Sequence, residues 1–192
     1  MKKIKLAAIA ILAFTISSKT VFAEENKYNI EPTHTSVVWF VNHFGFSNPS
    51  GKFSEIEGTI TFDEKAPAKS AVDVTIKMSG LYTGLKNFEE HLKSDDFFNV
   101  KKFATAKFVS KKVTVTGKNT AKIEGDLTLV GVTKPVTLKA KFNKAGINPI
   151  NQKQTVGFSA TAVITRSEFG IDYAVPSVSD QVELRIEIEA NR

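Results

Sequence analysis

From residue 35 onward the chain alternates apolar and polar residues with a period of two, and few folds accept that pattern. The stretch 122–142, KIEGDLTLVGVTKPVTLKAKF, shows it. Ile123, Gly125, Leu127 and Leu129 fall on one face, and Lys122, Glu124, Asp126 and Thr128 on the other. After Val130-Gly131-Val132-Thr133-Lys134-Pro135 the alternation resumes, with Val136, Leu138, Ala140 and Phe142 opposed to Thr137, Lys139 and Lys141. A period of two puts successive side chains on opposite faces of a strand, so the segment reads as a β-hairpin with one greasy and one charged face.

Such runs recur at about 35–44, 52–64, 70–78, 104–116, 121–130, 135–143, 154–165 and 180–190. In the last, Val182, Leu184, Ile186 and Ile188 oppose Glu183, Arg185, Glu187 and Glu189. Two runs change phase: Phe53 is out of step with Ile56, Ile60 and Phe62, and Phe108 and Ser110 with Val113 and Val115. A β-bulge in each restores the pattern and bends the strand, as a closing sheet requires. One stretch, 79–103, reads as helix: Leu85, Phe88 and Leu92 have helical spacing, Glu89 and Glu90 sit early and Lys93 late, and Asn87 is the expected cap. The connections 144–153 and 166–179 are long for hairpins, a length that often marks a rim or lid.

Half-greasy strands must bury their apolar faces, either in two stacked sheets or in one closed sheet. Several runs exceed the usual five or six residues, and mostly short turns join them. An all-β, eight-stranded antiparallel barrel with one short helix follows. Such a barrel either fills itself with side chains or holds one small ligand. The small residues Gly58, Ser110, Gly125, Ala140, Ala160 and Ala162 on the apolar face suit either case: they fit a tapering core or leave a hollow tube.

The first residues read as an address rather than as structure. Lys2, Lys3 and Lys5 precede the apolar run Leu6 to Ile16, and Val21-Phe22-Ala23 has the small-x-small form of a cleavage site. Residues 1–23 are expected to be a signal peptide, with a mature domain over 24–192, exported to the periplasm; full secretion stays open. The leader carries four of the 26 basic residues and none of the 20 acidic ones, so the mature chain is close to neutral. Its Lys and Glu residues alternate along strands instead of clustering, which is unlike a nucleic-acid footprint. With no cysteine, neither a disulfide framework nor a lipid-attachment thiol is available.

Chemistry-bearing residues are sparse. His34, His43 and His91 show no local ligand pair, and neither a metal nor a cofactor is expected. His34 and His43 differ by nine residues and so point to opposite faces of a strand; His43 shares its face with Val37, Trp39 and Val41. His91 near Asp95 or Asp96, with Ser94 beside it, is the one hydrolase-like grouping. Without a nucleophile elbow, Ser94-Asp95-Asp96 reads better as a turn cap, and no catalytic residue is assigned. Aromatic residues on alternating strands form the core, and in a barrel the core is the pocket wall. Val37, Trp39, Val41, His43, Phe62, Phe108 and Phe158 are the expected wall residues, with Phe88, Phe97, Phe98 and Phe169 near the mouth; Phe97, Phe98, Phe169 and Tyr173, in or beside long connections, suit a mouth or lid and equally an anchor for those loops.

Five ordered blocks resemble the YceI-like family of periplasmic, polyisoprenoid-binding proteins. They are His34-Thr35-Ser36-Val37-Val38-Trp39-Phe40-Val41-Asn42-His43; Gly51-Lys52-Phe53 with Glu57-Gly58 and Phe62-Asp63; His91-Leu92-Lys93-Ser94-Asp95-Asp96-Phe97-Phe98-Asn99; Gly125 to Val136; and Gly157-Phe158 with Arg166-Ser167-Glu168-Phe169-Gly170. Where many members carry an Arg-Asp pair before the His91 block, this chain has Phe88 and Glu89, and it has Ala104 where many have Pro. The resemblance implies an extended lipocalin-like barrel with a long apolar cavity. It also implies a carrier of a polyisoprenoid, an isoprenoid quinone or another long-chain lipid, with no defined reaction. Two alternatives stand beside it: a hydrolase-type enzyme acting on such a lipid through His91, and a stress-related interaction protein with a filled barrel. Stable membrane insertion is not expected. A homodimer through the apolar Val38 and Phe40 face is open.

Overall fold

The computed structural model describes residues 26–192. The expected leader lies outside the described residues. Ten strands form one sheet: β1 (Lys27–Phe40), β2 (Ser50–Phe53), β3 (Ile56–Thr61), β4 (Ala71–Lys77), β5 (Leu81–Tyr82), β6 (Thr105–Val115), β7 (Thr120–Leu129), β8 (Val132–Ile147), β9 (Gln154–Thr165) and β10 (Gln181–Asn191). The order is β10-β9-β8-β7-β6-β4-β3-β1-β2-β5, and β10 also pairs with β1, which closes the sheet into a barrel. All pairings are antiparallel. The first residues of β1 pair with β3 and its last with β2, so β2 and β3 together make one stave broken at Ser54-Glu55. Eight staves result.

Both expected phase changes are structural. The break between β2 and β3 lets Phe53 and Ile56 both turn inward, and both are buried. In the β6–β7 ladder the register shifts between Ser110 and Lys112. Closing the ring also needs shifts between Glu31 and Ser36 and between Phe142 and Lys144, which periodicity did not flag. β1 therefore starts eight residues before the expected 35. β8 runs on to Ile147, which corrects the reading of 144–153 as connection: the turn proper is 148–153.

The central hairpin is tighter than its sequence suggested. Val130 and Gly131, at φ 49° and 75°, form a two-residue turn of the kind whose twist matches paired strands. The chain is already in β8 at Val132, and Pro135 pairs with Asp126 inside the strand. β8 has no β9 partner until Lys139, so the missing N–H of Pro135 faces no ladder. At Gly58, φ is 140° and a Cβ would lie 2.2 Å from the Asp73 carbonyl oxygen, so only glycine fits.

The helix α1 (Lys86–Lys93) covers one end of the barrel, which we call the upper end, and buries Leu92. Asn87 does not cap it. Leu85 takes the cap position without a side-chain bond, and the Glu89 carboxylate instead accepts from the Thr83 and Gly84 amides at 2.7 and 3.1 Å. These bonds, the Thr83 amide foremost, hold the Glu89 carboxyl below the usual carboxylate range. The outer face of β1 is less bare than its sequence suggested, since the Arg185 guanidinium lies 4.7 Å from the Phe40 ring centroid. Among the described residues, no helix is long and apolar enough to cross a membrane.

Candidate functional site: two chambers in one barrel

The interior is not filled by side chains. Two cavities lie along the barrel, of about 420 Å³ at the upper end and about 470 Å³ at the other. The upper wall comes from the inward faces of β1, β4, β6, β7, β9 and β10, with α1 and the segment 171–178 closing over them. Val37, Trp39, Val41, His43, Phe88, Phe97 and Phe98 all line this chamber. Trp39 meets Phe88 edge to face at 6.3 Å, and Phe53 meets Phe98 likewise at 5.5 Å. Such contacts fix ring positions without filling the lumen.

The lower chamber takes Phe62 and Phe158. With Phe142 they form an aromatic cluster whose centroids lie 5.0 to 5.6 Å apart. Ile123, Leu138, Ile186 and Ile188 complete an apolar wall, and Glu64, Lys118, Asn119 and Asn143 make a polar rim. Phe142 had the right parity in the sequence but was not singled out as a wall residue. Phe169 lines neither chamber, which corrects its placement among the mouth residues. At 2% exposure it is the anchor of the loop that follows β9. Phe108, also expected in the wall, belongs to neither chamber and lies buried between them.

The upper mouth is held by one cation. Arg166, 4% exposed, donates from Nε to Ser179 O at 2.9 Å, from Nη1 to Ile171 O and Tyr173 O at 2.9 and 3.0 Å, and from Nη2 to Val178 O at 2.9 Å. Burial lowers the Arg166 pKa from its ordinary value, and the nearby Asp180 and Asp172 charges oppose that shift. Asp180 in turn accepts from the Ser167 hydroxyl and amide at 2.7 and 2.9 Å, bonds that hold its carboxyl below the usual range. A second loop, 42–49, is stitched on by Phe44 N to Ser177 O and Ser179 N to Asn42 O, both 2.9 Å. It exposes Phe44 and Phe46 at the rim.

The histidines divide by role. The His91 ring packs edge-on against Phe97 and Tyr173 at 5.0 and 5.4 Å, and its Nε2 lies 3.2 Å from Asp96 Oδ2. Ser94 Oγ donates to the His91 carbonyl oxygen at 2.7 Å, so its hydroxyl serves the helix end and not the imidazole. His34 lies outside the tube, with Nδ1 2.7 Å from Glu31 Oε2. Burial of Glu31 disfavours its charge. Bonds from Thr33 and His34 outweigh this and hold its carboxyl at about 2. Glu189 comes within 3.9 Å of His34, and Glu31, His34 and Glu189 form the one three-membered group of metal-ligating type among the described residues. Sequence spacing could not reveal it, because closure of β10 on β1 is what joins the strands.

The comparisons agree with this geometry. The description "YceI-like domain" matches residues 28–190. UPF0312 proteins of Pseudomonas fluorescens (strain SBW25) and Pseudomonas putida (strain W619) are 40% and 38% identical over 189 residues, which is 98% of this chain and 97% of each of theirs. Among solved structures, the Campylobacter jejuni YCEI protein superposes with a TM-score of 0.70 at 32% identity, over 77% of this chain and 86% of that one. Burkholderia cenocepacia BcnA (TM-score 0.76, 22% identity, 84% of this chain and 99% of that one) shares the fold. So does a polyisoprenoid binding domain from Saccharophagus degradans (TM-score 0.65, 10% identity, 85% and 97%). By sequence and by closed barrel alike, the chain belongs to the YceI-like family.

Proposed function

We propose that the protein is a periplasmic carrier that holds one long apolar molecule inside its barrel: a polyisoprenoid, an isoprenoid quinone or another long-chain lipid. The observation that carries this reading is the pair of apolar chambers at opposite ends of one closed sheet. Their walls are mostly aliphatic and aromatic, and the one cation in the upper lining, Arg166, spends its donors on backbone carbonyls, so recognition is by length and apolarity more than by a charged head. A fold neighbour described as a polyisoprenoid binding domain supports the ligand class. The leader-like residues 1–23 support export.

Burying a methylene contributes about 0.8 kcal/mol, so a chain of roughly twenty carbons offers about 16 kcal/mol before its lost freedom is counted. That loss offsets much of the gain and leaves binding tight but releasable. The reading requires no covalent step, and no residue is given a catalytic role. Mass spectrometry of an organic extract of protein purified without detergent tests it. A stoichiometric long-chain species is the expected result. An extract that stays empty after incubation with candidate lipids overturns it.

A further inference from the structure

On β4, β7 and β9 one inward residue lies between those that line the two chambers, whereas on β10 Leu184 lines the upper chamber and the next inward residue, Ile186, the lower. On β4, Ile76 lines the upper chamber and Val72 the lower, with Val74 between them. On β7 the corresponding residues are Leu127, Ile123 and Gly125; on β9 they are Ile164, Ala160 and Ala162. Val74, Gly125 and Ala162 are small or medium. The large group at this level is Phe108, 5% exposed and part of neither wall. Its backbone pairs with Val74 on one side and Leu127 on the other.

Gly125 explains how the ring is seated. A Cβ there would fall 2.5 Å from Phe108 Cζ and 2.8 Å from Cε2. The inward position that Ile123 and Leu127 occupy on either side is, at Gly125, filled by the Phe108 ring instead. The ring thus lies over Gly125, between the positions that line the upper and the lower chamber on β7. Two side-chain rotamers about χ1 are common in strands, so a turn about χ1 is the route by which the ring would leave this seat.

We propose that Phe108 is a partition that determines which ligand length the barrel accepts. This rests on the carrier reading. A ligand short enough for the upper chamber binds with Phe108 in its seat on Gly125. A longer ligand enters the lower chamber only after turning the ring out, and loses affinity by the cost of unseating it. Phe108 is therefore a specificity-determining residue: it does not hold the ligand's end but decides whether one molecule can span both chambers.

Trp39 is the only tryptophan and lines the upper chamber, so its fluorescence reports occupancy there. The test titrates the wild type, Phe108→Ala and Phe108→Leu with geraniol, farnesol, geranylgeraniol and solanesol. Phe108→Leu keeps most of the buried volume and guards against loss of fold, which circular dichroism checks in both variants. Geraniol is expected to bind all three proteins within about twofold. Solanesol is expected to bind Phe108→Ala about tenfold more tightly than wild type, with Phe108→Leu between them. Equal gains for geraniol and solanesol, or no gain for either, overturn the partition while leaving the carrier reading intact. No response to any of these probes in any of the three proteins overturns the carrier reading and the partition together.

Discussion

The Arg166 guanidinium donates to the Tyr173 carbonyl oxygen across 3.0 Å and so ties the end of β9 to the loop that closes the upper chamber. Three more carbonyls, those of Ile171, Val178 and Ser179, share the same cation. Hydrogen bonds to a charged donor are stronger than neutral ones, and buried acceptors left without a donor are costly. Arg166→Ala is expected to lower stability by about 3 kcal/mol. It should also make the 171–179 segment a preferred protease site. Urea denaturation measures the first and limited proteolysis with peptide mapping the second; an unchanged cleavage pattern would show that the loop is held by other contacts.

Gly58 is expected to resist every substitution. Its φ of 140° lies outside the range that L side chains adopt readily, and a Cβ there would overlap the Asp73 carbonyl. Gly58→Ala should cost on the order of 3 kcal/mol, from conformational strain and overpacking together. Gly146→Ala, where a Cβ would meet nothing closer than the end of Lys144 at 3.9 Å, is the matched control and should change stability little. Thermal unfolding of the two variants side by side separates a local steric effect from a general intolerance of β-strands for the change.

Acid stability should depend on Glu31. Its carboxyl titrates near 2 in the folded protein against 4.5 ordinarily, so the folded state binds its proton less readily than the unfolded chain. The stabilisation is complete above about pH 4.5 and is lost as pH falls toward 2. With a side chain 20% exposed, solvent screening reduces it to on the order of 1–2 kcal/mol. Glu31→Gln should remove that part of the acid dependence. Unfolding free energies measured across this range decide the matter: parallel curves for wild type and variant would contradict it.

Ligand removal should be visible as lost stability. A ligand that binds only the folded barrel stabilises it by about 2.7 kcal/mol at a concentration of 100 Kd. Protein stripped with organic solvent and refolded is expected to melt below the same protein as purified, and to recover on adding back its own extract. Calorimetry of the three samples is the check, and identical melting temperatures would argue against a resident apolar ligand.

The alternation of Val182, Leu184, Ile186 and Ile188 against charged neighbours settles the strand and its inward face before any coordinates, because a period of two is a local property of the backbone. The same holds for the out-of-step pairs Phe53/Ile56 and Ser110/Val113: a bulge is the local remedy for a broken phase, and the chain breaks or shifts at both places. His43 was readable as an inward polar group from parity with Trp39 alone, and it does line the upper chamber. What the sequence could not decide depends on contacts between distant strands. Parity says that Phe62, Phe108 and Phe158 face inward, but not that Phe62 and Phe158 wall the lower chamber while Phe108 lies between the two. That follows from register around a closed ring, and from Gly125 on the neighbouring strand leaving a seat for the ring. Likewise Phe169 reads as a mouth residue by position, and only the fold shows that it is buried as an anchor and that Arg166, three residues before it, spends its donors on backbone carbonyls. Secondary structure and facing are encoded over a few residues. The division of the lumen, and the fastening of its mouth, arise from side chains far apart in sequence that closure brings to the same level.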